Sequence, residues 1–115
     1  MTRLPLGNTN EAAVAEAMKR LWVQYLPKIE ERVLELEMAA AACINGNLTE
    51  HQREQARAAA HKLAGVLGTF GLDRGTQLAR EVELYYSDPN AFEAGHALRP
   101  AEIAAQIRAI VTAKP

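Results

Sequence analysis

The sequence predicts an all-α fold, an antiparallel four-helix bundle with an additional N-terminal cap helix, on three observations. Apolar residues recur at three- and four-residue spacing along nearly the whole chain, no segment alternates with period two, and the interruptions carry Pro, Gly and Asn. Short to medium connections between such segments favour antiparallel neighbours in a bundle.

Residues 1–8 hold Pro5 and Gly7 without periodicity and read as a tail or the stump of a linker, leaving 9–113 as the folded domain. A first helix is expected from a cap at Asn8, Thr9 or Asn10, with Val14, Met18, Leu21, Trp22 and Tyr25 as its apolar face. Pro27 interrupts the pattern and suits the first turn of a second helix, striped by Ile29, Val33, Leu36, Ala40 and Cys43. Asn45-Gly46-Asn47 stops it. Thr49 with Gln52 has the spacing of a capping box and opens a third helix, which Gly71 ends or weakens. A fourth stripe runs through Leu78, Ala79, Val82 and Tyr86 to the breaker Ser87-Asp88-Pro89-Asn90. After an irregular loop at 91–99 with Gly95 and His96, Pro100 opens a last helix along Ile103, Ile107, Ile110 and Val111.

The chain has 115 residues, 49% of them hydrophobic and 23% charged, which suits a single globular domain. With a net charge of -1 there is no global basic field to draw in nucleic acid or an anionic membrane. Cys43 is the sole cysteine, which excludes an internal disulfide and cysteine-pair zinc sites and fits a reducing cytoplasm. No signal-peptide pattern and no run of ~20 apolar residues occurs. Three scattered histidines do not have metal-ligand spacing, so neither a metal nor a cofactor of the protein's own is expected.

The third helix carries the chemistry. On a wheel of 100° per residue with His61 at zero, Ala59, Leu63, Val66, Leu67 and Phe70 fall between about 140° and 240°. His61 points away from them. Arg57, Ala58, Ala64, Gly65 and Gly68 lie within about 60° of it, so one imidazole stands on a nearly bare face with a cation a turn before it. A helical glycine costs roughly 0.5–1 kcal/mol relative to alanine, so Gly65 and Gly68 call for a reason other than stability. A cleared surface beside the ring, open to another protein or a phosphoryl group, supplies one. A neutral imidazole is a competent nucleophile at physiological pH and a good leaving group once phosphorylated. An acceptor on its second nitrogen would fix the tautomer, and Glu83 on the next helix is the candidate. His51 and His96 lack such surroundings and read as ordinary surface residues.

The run Ala60-His61-Lys62-Leu63-Ala64-Gly65-Val66-Leu67-Gly68-Thr69-Phe70-Gly71-Leu72 resembles the signature of histidine-containing phosphotransfer (HPt) domains, Ala-His-x-Leu-Lys-Gly followed by a hydrophobic residue and a second glycine. Gly-Thr-Phe-Gly at 68–71 is similar to the phosphorylated N-terminal domain of chemotaxis histidine kinases, and Leu78 with Val82-Glu83 falls where the family has its second patch. The resemblance implies that His61 is the phosphoacceptor, Gly65 the small residue beside it and Glu83 the partner of the ring. The family's lysine three residues after the histidine is replaced by Ala64, which leaves Arg57, Lys62 and Arg80 as alternative cations.

The implied function is that of a phosphorelay intermediate. His61 would take a phosphoryl group from an aspartate of one receiver domain, in a response regulator or hybrid kinase, and pass it to another. No nucleotide motif accompanies it, so the chain is expected to be a carrier without kinase machinery, monomeric and cytoplasmic, and a module cut from a longer signalling protein. By the resemblance, Mg²⁺ sits in the partner receiver. The alternative is a helical interaction module that has lost phosphotransfer, and Ala64 is the feature in its favour.

Overall fold

The structure is a computed structural model that describes residues 4–89 and 98–115. Among these residues there are four helices and no strand: α1 (Leu4–Ile44), α2 (Glu50–Thr69), α3 (Asp73–Ser87) and α4 (Leu98–Ala113). The expected loop around Gly95 and His96 lies outside the described residues. Each helix packs against two others, in the ring α1, α2, α3, α4 and back to α1. Neighbours run antiparallel. Trp22 of α1 meets Phe70 just past the end of α2, Gly75 of α3 meets Ile110 of α4, and Glu37 of α1 holds Arg108 of α4.

Local chemistry explains the ends. Thr49 and Gln52 form the expected capping box, with Gln52 N–H donating to Thr49 Oγ1 and Thr49 N–H to Gln52 Oε1, both at 3.0 Å. Gly46 and Gly71 have φ of 73° and 74°, a region that costs other residues strain, and each closes a helix in the same way. Asn47 N–H reaches back to Ala42 C=O and Leu72 N–H to Leu67 C=O, at 2.9 Å in both cases, the six-to-one bond that ends a helix with a left-handed glycine. Gly71 thereby turns α3 straight back along α2.

The stripes expected on the later helices are the core. Ile29, Val33, Leu36, Ala40, Cys43, Leu78, Ala79, Val82, Tyr86, Ile103, Ile107 and Val111 are all buried, while Ile110 is half-buried. Tyr86 is enclosed and Tyr85 half-exposed, their rings edge-to-face at 5.4 Å. Burial pushes the Cys43 thiol up against a smaller opposing effect of its hydrogen bonds to the two tyrosines. No helix among the described residues is long and apolar enough to cross a membrane.

The N-terminal part differs from expectation. The expected cap helix and second helix are one continuous helix of 41 residues, which begins at Leu4 rather than at the caps foreseen at Asn8 to Asn10 and runs through Pro27. Pro27 withholds a hydrogen bond from the carbonyl of Val23, yet Trp22 and Ile29, on either side of it, are both locked in the core. Tertiary packing on both flanks therefore carries the helix across the gap. A helix of this length spans about 60 Å, nearly the whole of the 67 Å long axis. Its N-terminal turns outrun the other helices. Val14 is 62% exposed and Leu21 and Tyr25 are also exposed, so the stripe expected to face the core does so only at Trp22. That indole still caps the bundle, edge-on to Phe70 at 5.1 Å with Lys114 Nζ 5.2 Å from its centre. The last helix starts at Leu98, which puts Pro100 within the first turn, where its missing N–H has no intrahelical acceptor to lose.

At the opposite end, Arg53 is only 8% exposed. Its Nη1 donates to the C=O of Tyr86 in the last turn of α3, and its Nε donates to Glu50 Oε2 at 3.0 Å. A carbonyl left over at the end of one helix is thus satisfied by a side chain from the start of another.

Because Pro27 is exposed and lies within a continuous helix, Pro27→Ala should stabilise the protein by about 1–3 kcal/mol in urea unfolding, less whatever proline gains by restricting the unfolded chain. A neutral effect would place a helix break at Leu26.

Candidate functional site

His61 sits near the middle of α2 with its side chain 71% exposed, directed away from Leu63 and Leu67, which are fully buried. Its Nδ1 is 2.9 Å from Glu83 Oε2 of α3. Glu83 is the less exposed partner at 23%, so the carboxylate is partly shielded while the ring stands in solvent. With Nδ1–H donating to this carboxylate, the lone pair is on Nε2, the nitrogen that faces outward. Two residues that are 22 apart in sequence meet because Gly71 reverses the chain and α2 and α3 then pack closely.

The seam between these helices is built from small residues. Ala60, Ala64 and Ala79 are buried along it, and Thr76 Oγ1 donates to Ala64 C=O at 3.0 Å. Ala64, read from the wheel as part of the bare face, is only 6% exposed because α3 covers it. The glycines divide in their reasons. A Cβ on Gly65 would meet nothing within 4 Å, so this position is open space beside the ring. A Cβ on Gly68 would stand 3.3 Å from Thr76 Oγ1, so Gly68 serves the approach of α3 rather than clearing the histidine's face. Gly75 went unnoticed in the sequence. A Cβ there would lie 3.0 Å from Leu67 Cδ1 and 3.6 Å from Ile110 Cγ2, at the point where α3 meets both of its neighbours.

The three cations differ in what holds them. Arg57 is tied to Glu54 by contacts of 2.6 and 3.0 Å, which hold the Glu54 carboxyl below its ordinary range. Lys62 borders a groove towards α1, among Lys28, Glu31, Arg32 and Glu35. Arg80 borders the same cleft as His61, a depression of about 430 Å³ lined by His61, Ala64, Gly65, Arg80, Glu83 and Leu84. Leu84, 72% exposed, gives that cleft an apolar rim. His51 is exposed in the first turn of α2, and His96 lies outside the described residues. Among the described residues no three His, Cys, Asp or Glu side chains gather as a metal set.

The two kinds of glycine separate by mutation. Gly65→Ala should raise stability by about 0.5–1 kcal/mol, the helix-propensity difference, because nothing opposes the methyl group. Gly75→Val should lower it by about 1–3 kcal/mol through overpacking against Leu67 and Ile110. Urea midpoints measure both, and equal effects at the two positions would contradict the seam described.

A helical bundle presenting an exposed imidazole braced by a carboxylate from the next helix is the geometry that the signature around His61 led one to expect. Comparison with known proteins agrees at the level of family. The profile of the Hpt domain matches residues 20–113. Protein RcaC of Microchaete diplosiphon is 30% identical over 80 residues, covering 70% of this chain and 12% of that protein, so the similarity is to one segment of a far longer chain. No solved structure gives a significant match. Matched over most of its length, from the middle of α1 to the end of α4, the chain belongs to the Hpt domain family.

Proposed function

We propose that this domain is a phosphoryl carrier of a phosphorelay, with His61 as the residue that accepts the group from a receiver aspartate and passes it to a second receiver. The observation that carries this reading is the 2.9 Å contact between His61 Nδ1 and Glu83 beneath an otherwise exposed ring. It leaves Nε2 as the nucleophile. The Nε2 lone pair attacks the phosphorus of the receiver's aspartyl phosphate in line, the N–P bond forms, and the P–O bond breaks with its electrons going to the aspartate carboxylate. The ring becomes a phosphoimidazolium that keeps its proton on Nδ1, and the Glu83 carboxylate opposes the positive charge that develops there. The reverse sequence delivers the group to the next aspartate.

Such a step is mostly positioning and charge stabilisation, which suits a domain offering one braced side chain on a rigid helix. Gly65 leaves room for a second protein's backbone beside the ring, and Leu84 offers an apolar contact at the rim. In this reading the Mg²⁺ that phosphoaspartate chemistry uses is held by the receiver, and the complex is modest in area and short-lived, as repeated exchange requires. The carrier has no kinase machinery of its own and works as a monomer in the cytoplasm.

Incubation with a panel of phosphorylated receiver domains should move an acid-labile, base-stable phosphate onto the wild-type protein. His61→Gln should abolish that label with the helical circular dichroism unchanged, and Gly65→Gln should slow transfer by blocking access. Absence of label on wild type across the panel, or its survival in His61→Gln, would sink the carrier reading and favour an inactive interaction module.

A further inference from the structure

A phosphoryl group on His61 brings about two negative charges to the α2–α3 cleft, and the residue one turn beyond the histidine is the methyl group of Ala64. Some other side chain must oppose that charge. The register of the two helices shows which one is placed to do so. His61 stands opposite Glu83 and Gly68 opposite Thr76, which in an antiparallel pair puts Arg80 opposite Ala64. Arg80 is exposed, lines the cleft together with His61 and Gly65, and forms no ion pair or hydrogen bond with any described residue. Arg57 is near enough to feel the Glu83 carboxylate, but it does not line that cleft and its guanidinium is held by Glu54, and Lys62 borders the groove on the α1 side.

We infer that Arg80 is the residue that binds the phosphoryl group, a cation delivered from α3 across the small surface of Ala64 and Gly65 to a phosphate on His61 Nε2. This rests on the carrier reading above. Two features of the cleft then have one explanation. Ala64 and Gly65 are small, so a long side chain from the facing helix has a path over them, and the planar guanidinium can grip two phosphoryl oxygens at once. Glu83, on the same helix as Arg80 and one turn further along, holds the other nitrogen of the ring. One helix therefore orients the nucleophile and neutralises what it carries.

The test uses phosphoramidate, a small donor that needs no receiver. The Nε2–P bond forms as the donor's P–N bond breaks, and ammonia leaves with a proton from water. Labelling is followed by ³¹P NMR, which also reports the second ionisation of the bound phosphoryl group. Arg80→Ala should slow labelling by about tenfold or more, as loss of a charge-assisted hydrogen bond implies, and should raise the pH at which the phosphoryl resonance titrates. Arg57→Ala and Lys62→Ala should each change the rate less than about twofold, the range of an exposed surface charge. Arg80→Lys should restore part of the rate. If wild type is labelled on His61 and Arg80→Ala matches it in rate and titration, the role of Arg80 is refuted and the carrier reading stands. The phosphorylated receivers serve as donors for the same comparison where phosphoramidate gives no label, and if neither donor labels His61 of the wild type, both fall.

Discussion

The close antiparallel packing of α2 on α3 is the constraint on which the rest of this structure depends. Gly71, in a conformation that strains any other residue, returns the chain after three residues, and the seam that follows is made of Ala60, Ala64, Gly68, Gly75 and Ala79. Small residues let the two backbones approach, and the Thr76 hydroxyl bonded to Ala64 C=O fixes their register. Only at that separation and in that register does a carboxylate on α3 reach an imaginary line drawn outward from α2 and meet the His61 ring at 2.9 Å. A slip of one residue along the seam would turn Glu83 away and leave the ring without an orienting acceptor. The ion pairs of Arg99 with Glu81 and of Arg108 with Glu37 tie α4 to its neighbours on the far side of the bundle, and neither enters the cleft.

Much of this was legible in the sequence, and for a physical reason. The stripes of α3 and α4 repeat at the helical period and are buried as they predict except for the half-buried Ile110, and of the α2 stripe Leu63 and Leu67 are buried while Val66 and Phe70 are half-buried, because each of these helices packs against two neighbours. The capping box at Thr49 and the glycine stops are local chemistry that needs no tertiary context. The placement of His61 outside the core followed from the same wheel.

What the sequence hid depends on partners that are distant along the chain. Pro27 reads as a break when only its own missing hydrogen bond is counted, yet Trp22 and Ile29 hold the helix together on both sides of it. Val14 and Leu21 have the spacing of a core face and are exposed because no other helix extends that far. Arg53 looks like any helical arginine until the end of α3 brings Tyr86 C=O to it. Gly68 and Gly65 share one face of the wheel, but only the position of Thr76 shows that the first admits α3 and the second leaves space. The cleft was legible only in part: Arg80 stands among the cations the sequence offers, but only the structure shows that it, and neither Arg57 nor Lys62, lines the cleft with His61 and Ala64.

The account as a whole turns on which nitrogen of His61 is free. A long-range ¹H–¹⁵N correlation spectrum of the imidazole, recorded where the ring is neutral, reads this directly. Packing against Glu83 predicts the Nδ1–H tautomer, with Nε2 unprotonated, and a shift toward the ordinary tautomer mixture in Glu83→Ala. A ring found with its proton on Nε2 in the wild-type protein would contradict the account.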